Sequence, residues 1–232
     1  MALITCPECG KEVSDTSKKC VHCGYKFKND KGGGKGKKVI IISVIIVAVL
    51  AVALSVFFAL KAKRDKELMQ QREKKYVQTM ENFRDAVIEG GSEAEDLCNI
   101  IVSVWGDAIN KDIETGTSEY TYDFKKHEFY DFDTALSNLF KSDKYSKMVH
   151  DLGNNKSKVE EIMTSLKECP NEVYEQYFNH CSELYNQYTL FYDFAINASG
   201  NYKDYSEKYD EIEDDFLKKF NELKNAIELL KN

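Results

Sequence analysis

From Val39 to Leu60 the chain runs for 22 residues without one charged side chain. As a helix rising 1.5 Å per residue this run spans about 33 Å, enough to cross a hydrocarbon core of roughly 30 Å. It is too long and too uniformly apolar for a buried core helix. It also starts too deep in the chain for a cleaved signal peptide, lacks a clear small-residue cleavage site, and its removal would discard everything before it. Residues 39–60 therefore read as a signal-anchor, one transmembrane helix.

Beyond it the apolar positions follow helical spacing throughout. Met69, Tyr76, Met80, Phe83 and Val87 predict a juxtamembrane helix to Glu89, ended by Gly90-Gly91. Ser92–Glu95 has the form of a capping box, opening a helix that buries Ala94, Leu97, Ile101, Val104, Trp105 and Ala108. Residues 111–130 are irregular and polar-aromatic. A third helix is expected from Asp133 to Leu152, stopped by Gly153. A second capping box, Ser157–Glu160, opens a short helix closed by Pro170. Two stripes follow, Val173-Tyr177-Cys181-Leu184-Tyr188-Phe191-Ala195 and Tyr202-Tyr205-Tyr209-Ile212-Phe216-Leu223-Ile227-Leu230. A short connection around Gly200 joins them, which indicates an antiparallel bundle. No fixed-period repeat and no useful strand alternation appear.

Charge sharpens this division. Residues 1–60 carry nine Lys against four acids, a net of +5, so residues 61–232 carry −12. This acidic domain of about 170 residues is large enough to bury its own core. Its charge disfavours nucleic acid, which is held mainly by Lys and Arg. Thirteen of the 14 tyrosines lie in it and read first as core packing. An exposed group such as Tyr185, Tyr192 and Tyr202 would suit a protein or glycan partner.

The N-terminal 28 residues hold the one strong chemical signal. Cys6-Pro-Glu-Cys9-Gly10 and Cys20-Val-His-Cys23-Gly24 repeat one pattern with ten residues between them. Paired CxxC knuckles bring four thiolates to one tetrahedral Zn²⁺. Disulfides or a redox CxxC fit less well, because paired knuckles at this spacing without a βαβ context favour zinc. His22 lies inside a knuckle whose thiols already saturate the metal. The glycines permit tight positive-φ turns, Lys11–Ser14 reads as a short strand, Asp15–Lys18 as a turn, and Tyr25 and Phe27 as cover for the site. So short a segment cannot fold on apolar burial; metal binding must supply on the order of 10 kcal/mol or more. Four protein ligands leave no position for water, so the zinc, one ion, is structural.

Residues 4–27 resemble the short zinc-ribbon domain, "CPxCGxxV…CxxCG", that begins many bacterial membrane proteins. The usual second-knuckle proline is replaced here in Cys20-Val-His-Cys23. The resemblance implies a Cys₄ structural zinc, a cytoplasmic position and an adapter or regulatory role. The layout also resembles Gram-positive cell-envelope proteins built as ribbon, one membrane helix and extracytoplasmic domain. The expected fold class is thus a small β zinc ribbon plus one transmembrane helix plus an all-α antiparallel helical-bundle domain. Its boundaries are 1–28 for the ribbon, 29–38 for a basic Gly/Lys linker, 39–60 for the span and 61–232 for the bundle.

Orientation does not follow from flanking charge. Residues 24–38 hold six Lys and residues 61–75 hold seven Lys/Arg, so the positive-inside rule does not decide. Thiol chemistry points to a cytoplasmic ribbon and an extracytoplasmic C-terminus in the plasma membrane, because a four-thiolate site persists where thiols stay reduced. Lys35, Lys37 and Lys38 would then contact the anionic cytoplasmic leaflet.

No catalytic signature emerges. His127, His150 and His180 fall in separate segments, and no phosphate loop, GxSxG elbow or calcium loop is present. Cys98 and Cys181 sit on apolar stripes. Cys169 and Cys181 are 12 residues apart and should not pair unless Pro170 starts a loop rather than a helix. The leading expectation is a non-enzymatic, membrane-anchored envelope protein that senses or scaffolds through an unidentified protein partner. One alternative is a membrane-tethered nucleic-acid or transcription-machinery binder acting through the ribbon and linker, although +2 on residues 1–28 against a formal −2 at Zn(Cys)₄ leaves a weak electrostatic footprint. Another is an enzyme with an unrecognised helical site; the sequence names no small-molecule substrate.

Overall fold

The computed structural model describes residues 2–28, 35–113 and 116–231, with the side chains of residues 35–41 outside that description. The chain divides into two compact units, Met1–Arg64 and Asp65–Asn232.

In the first unit, β1 (Leu3–Thr5) pairs antiparallel with β2 (Glu12–Ser14), setting Leu3 opposite Ser14 and Thr5 opposite Glu12. Lys19 and Lys26 form an isolated antiparallel bridge. The expected strand and turn are both present: Ser17 N–H closes on the Ser14 carbonyl at 3.0 Å. Among the described residues of this unit, Cys6, Val13 and Cys20 are the buried ones, with Cys9 and Phe27 packed against them. Phe27 covers the site as expected, whereas Tyr25 reaches it only through an edge-to-face contact with Phe27 and stays exposed.

Helix α1 spans Lys35–Asn110. Its apolar stretch from Ile42 is long enough to cross a membrane, and nothing in the described chain covers it. Ile42, Val47, Leu54 and Leu60 each leave more than half their surface open.

The second unit is built from four long helices: α1 from Asp65 onward, α4 (Asp143–Leu166), α5 (Glu175–Ile196) and α6 (Tyr202–Lys231). Cross-helix contacts set the directions. Tyr76 bonds Leu166 while Asn155 bonds Ala86, so α1 and α4 are antiparallel. Lys219 pairs Glu183 while Phe194 stacks on Tyr205, so α5 and α6 are antiparallel. Tyr188–Asn155 with Tyr185–Glu160, and Tyr205–Cys98 with Lys231–Glu81, give the same relation for α4–α5 and α1–α6. The result is an up-down-up-down bundle. The predicted stripes form its core, except that Met69 and Val173 are exposed and Tyr174 is buried in place of Val173.

Several predicted boundaries are corrected. Gly90-Gly91 does not end a helix; α1 runs through both. A Cβ on Gly90 would lie 2.2 Å from Asn155 Oδ1, and one on Gly91 2.4 Å from Phe216 Cζ. These glycines let α4, α5 and α6 side chains approach the α1 backbone, a packing gain that offsets the roughly 1 kcal/mol helix penalty of each. Ser92–Glu95 is consequently helix interior, not a capping box. Likewise α4 passes through Gly153, and Ser157 Oγ donates back to the Gly153 carbonyl at 3.1 Å instead of capping.

The actual break in that region is earlier. Asp131 accepts the Thr134 N–H at 2.8 Å and opens α3 (Phe132–Phe140). Ser142 accepts the Tyr145 N–H at 3.1 Å and opens α4. The irregular stretch 111–130 contains a short helix, α2 (Ser118–Thr121), and a small hairpin, β3 (Tyr122–Asp123) with β4 (Glu128–Phe129).

The tyrosine excess is mainly structural. Tyr76, Tyr188, Tyr205 and Tyr209 are buried, and each hydroxyl finds a partner, in Leu166 O, Asn155, Cys98 and Asn99 respectively. Of the expected exposed group, Tyr202 packs against Trp105, Tyr192 lies under the Lys156 ammonium, and Tyr185 reaches Glu160; all are half-buried.

Candidate metal centre

Both knuckles are built the same way. The Cys6 N–H donates to Lys11 O at 2.9 Å and the Gly10 N–H to Cys6 O at 2.8 Å. In the second knuckle the Cys20 N–H donates to Tyr25 O at 2.7 Å and the Gly24 N–H to Cys20 O at 2.9 Å. Gly10 and Gly24 have φ of 68° and 79°, the left-handed region that glycine enters without strain. These turns fold each CxxC so that its two sulfurs point the same way.

The four sulfurs of Cys6, Cys9, Cys20 and Cys23 all lie within 4.8 Å of one another. Cys6–Cys23 and Cys9–Cys20 are each 3.6 Å apart. A tetrahedron of sulfurs bound to zinc at 2.3 Å has edges of about 3.8 Å. A disulfide needs about 2.05 Å, so the separations fit a metal site and not a pair of S–S bonds. The donor set therefore fits one structural Zn²⁺, which when bound supplies the crosslink that holds the two knuckles together.

Two of the four crowded thiols are moved in opposite directions. Desolvation opposes a Cys20 thiolate, but the amide N–H groups of His22 and Cys23 outweigh it and draw the thiol down to about 6; the His22 N–H sits 3.4 Å from that sulfur. At Cys23 the Tyr25 amide favours the thiolate, yet desolvation and the three crowded sulfurs push the group up to about 12. Four thiolates this close repel one another, and a dication removes that repulsion. His22 is exposed and stands outside the sulfur cluster.

The Lys35, Lys37 and Lys38 side chains lie outside the described residues. All seven cysteines are free. Pro170 does lie in a loop, between α4 and the 3₁₀ turn Glu172–Tyr174. Cys169 there contacts the Tyr76 hydroxyl at 3.3 Å and Cys181 is fully buried.

One grouping was not visible in sequence: His180 and Glu183 of α5 meet Glu222 of α6. The His-x-x-Glu spacing was readable, but its α6 partner lies 39 residues further on. The Lys219 ammonium already sits 2.8 Å from Glu183 and 2.9 Å from Glu222, which neutralises the carboxylates without a metal.

Residues 5–27 match the family model of the zinc-ribbon domain, covering both knuckles. No family model accounts for the rest of the chain. Comparison with curated proteins and with solved structures returns no match.

Proposed function

We propose that the chain is a single-pass plasma-membrane protein, non-enzymatic, that senses or scaffolds. On this reading the zinc ribbon faces the cytoplasm and the acidic helical domain lies outside. The observation that carries it is the exposed apolar stretch of α1 from Ile42 to Leu60, a surface that water disfavours and a bilayer accepts. The ribbon adds to it. Four thiolates fill the zinc shell and leave no coordination position for a substrate, so the module serves as a folded surface for a protein partner. A reducing compartment preserves those thiolates. Lys35, Lys37 and Lys38 then lie at the anionic inner leaflet.

Protease protection tests the arrangement. Protease added to intact cell-wall-stripped cells should remove residues 61–232 and leave an epitope placed before the ribbon protected in a membrane-bound fragment. Loss of the epitope with survival of the bundle would reverse the orientation. Release of the whole chain by carbonate washing would remove the membrane reading itself.

A further inference from the structure

A groove of about 710 Å³ lies in the second unit between α1 and α4, within the size range of small-ligand sites. Arg72 and Lys75 line its α1 side, Glu161 its α4 side, and Glu168 the turn just beyond α4. Its floor includes Tyr76, buried and tied through its hydroxyl to the Leu166 carbonyl at 2.8 Å, and half-buried Ile162.

Elsewhere in the bundle, three pairs of charges join neighbouring helices among the described residues. Lys158 meets Glu89, Lys219 meets Glu183, and Lys231 meets Glu81. Around this groove the charges do not pair: Arg72, Lys75, Glu161 and Glu168 form no ion pair with one another or with other described residues. The antiparallel course of α1 and α4 sorts these charges along the groove. Tyr76 is level with Leu166, so Arg72, Lys75 and Glu168 gather at one end, a net of one positive charge. Glu161 stands five residues back along α4, on the other side of Tyr76. At 1.5 Å per residue the cationic and acidic ends are roughly 10 Å apart along the axis. A ligand of one sign gains at one end and is repelled at the other. A ligand with opposite charges at its two ends gains at both.

We propose that this groove binds a short peptide by its free termini, carboxylate against Arg72 and Lys75 and ammonium against Glu161. An extended chain covers about 3.3 Å per residue, so roughly three to four residues bridge the two ends. Arg72 offers its guanidinium fork to the carboxylate, and Tyr76 and Ile162 give the peptide body an apolar floor. The site lies wholly in the second unit and holds on whichever side of a membrane that unit stands, so it is independent of the proposed topology.

The full zinc-loaded chain in detergent is titrated calorimetrically with tetraalanine, its N-acetyl form and its C-terminal amide. Tetraalanine should bind saturably, and blocking either end should weaken binding by about tenfold or more. Arg72→Gln with Lys75→Gln should weaken tetraalanine to the level of the amide and leave the amide unchanged. Glu161→Gln should do the same relative to the N-acetyl form. These selective losses separate end recognition from general unfolding, which would abolish every titration alike. The proposal is overturned by no saturable heat up to roughly 10 mM tetraalanine, by equal binding of the blocked peptides, or by variants that weaken all three peptides equally.

Discussion

Tyr188 of α5 donates its phenolic hydrogen to Oδ1 of Asn155 of α4 at 2.8 Å, with both side chains buried. The Asn155 amide in turn donates to the Ala86 carbonyl of α1 at 3.1 Å. One polar chain thus links three helices through the core. Tyr188→Phe keeps the ring but leaves Asn155 Oδ1 buried without this donor. A loss of about 1–3 kcal/mol in urea unfolding is expected; an unchanged midpoint would show that the bond does not matter to the fold.

The space for that chain comes from Gly90, where a Cβ would meet Asn155 Oδ1 at 2.2 Å and the Tyr188 hydroxyl at 2.5 Å. Gly90→Ala should destabilise the bundle by about 1–3 kcal/mol through overpacking, despite its better helix propensity. Gly153→Ala should do the reverse. Its Cβ would approach nothing nearer than the Tyr192 hydroxyl at 3.9 Å, so a gain of about 0.5–1 kcal/mol follows from propensity alone. Thermal unfolding of both variants, read side by side, checks the opposite signs.

Chelation should unfold the ribbon and spare the bundle. Among its described residues the ribbon buries Cys6, Val13 and Cys20, far too little to offset the ordering of its backbone. Its metal-bound form should lose its dispersed amide resonances on treatment with a strong chelator, while the helical circular dichroism persists. Cys20→Ser should lower bound zinc well below one ion per chain by elemental analysis.

Glu93 gives the bundle a pH dependence. Desolvation, then repulsion from Glu89 and Asp151, outweighs Lys158 and raises its carboxyl above the ordinary glutamate value, and Oε2 is buried without a hydrogen-bond partner. The folded state therefore holds this proton more tightly than the unfolded state. Its contribution is fully present below the ordinary glutamate range and declines as pH rises through the folded value. Glu93→Gln should unfold at higher temperature than the parent near pH 7, with the gap closing toward pH 4. A gap that stays constant with pH would assign the effect to packing.

Burial pushes the thiols of Cys98 and Cys181 up to about 12 each, leaving almost no thiolate to react. In native zinc-loaded protein an alkylating reagent near pH 8 should modify half-buried Cys169 first. Cys98 and Cys181 should be labelled only once denaturant opens the bundle, as peptide mass spectrometry would show.

The ribbon and the long apolar run were legible in sequence because each depends on residues close together along the chain. A knuckle is four consecutive residues with a glycine behind them, and an apolar helix long enough to cross a membrane is one unbroken run. The buried stripes were legible too, since helical periodicity assigns Leu97, Ile101, Leu184 and Ile212 to a core whatever that core contacts. The helix ends were not. Gly90-Gly91 and Gly153 carry the local signature of a stop, and Ser92–Glu95 and Ser157–Glu160 that of a start. Local propensity of about 1 kcal/mol per glycine was outweighed by what Asn155, Tyr188 and Phe216 bring to α1 from helices more than sixty residues away. The groove between α1 and α4 was equally hidden, because whether Arg72 and Glu161 pair or stand apart depends on how two helices meet. The sequence alone determined which residues ligate zinc, which could enter a bilayer and which face inward. Only the tertiary structure decided where the helices continue and which charges are left to meet a ligand, since both depend on contacts between residues distant in the chain.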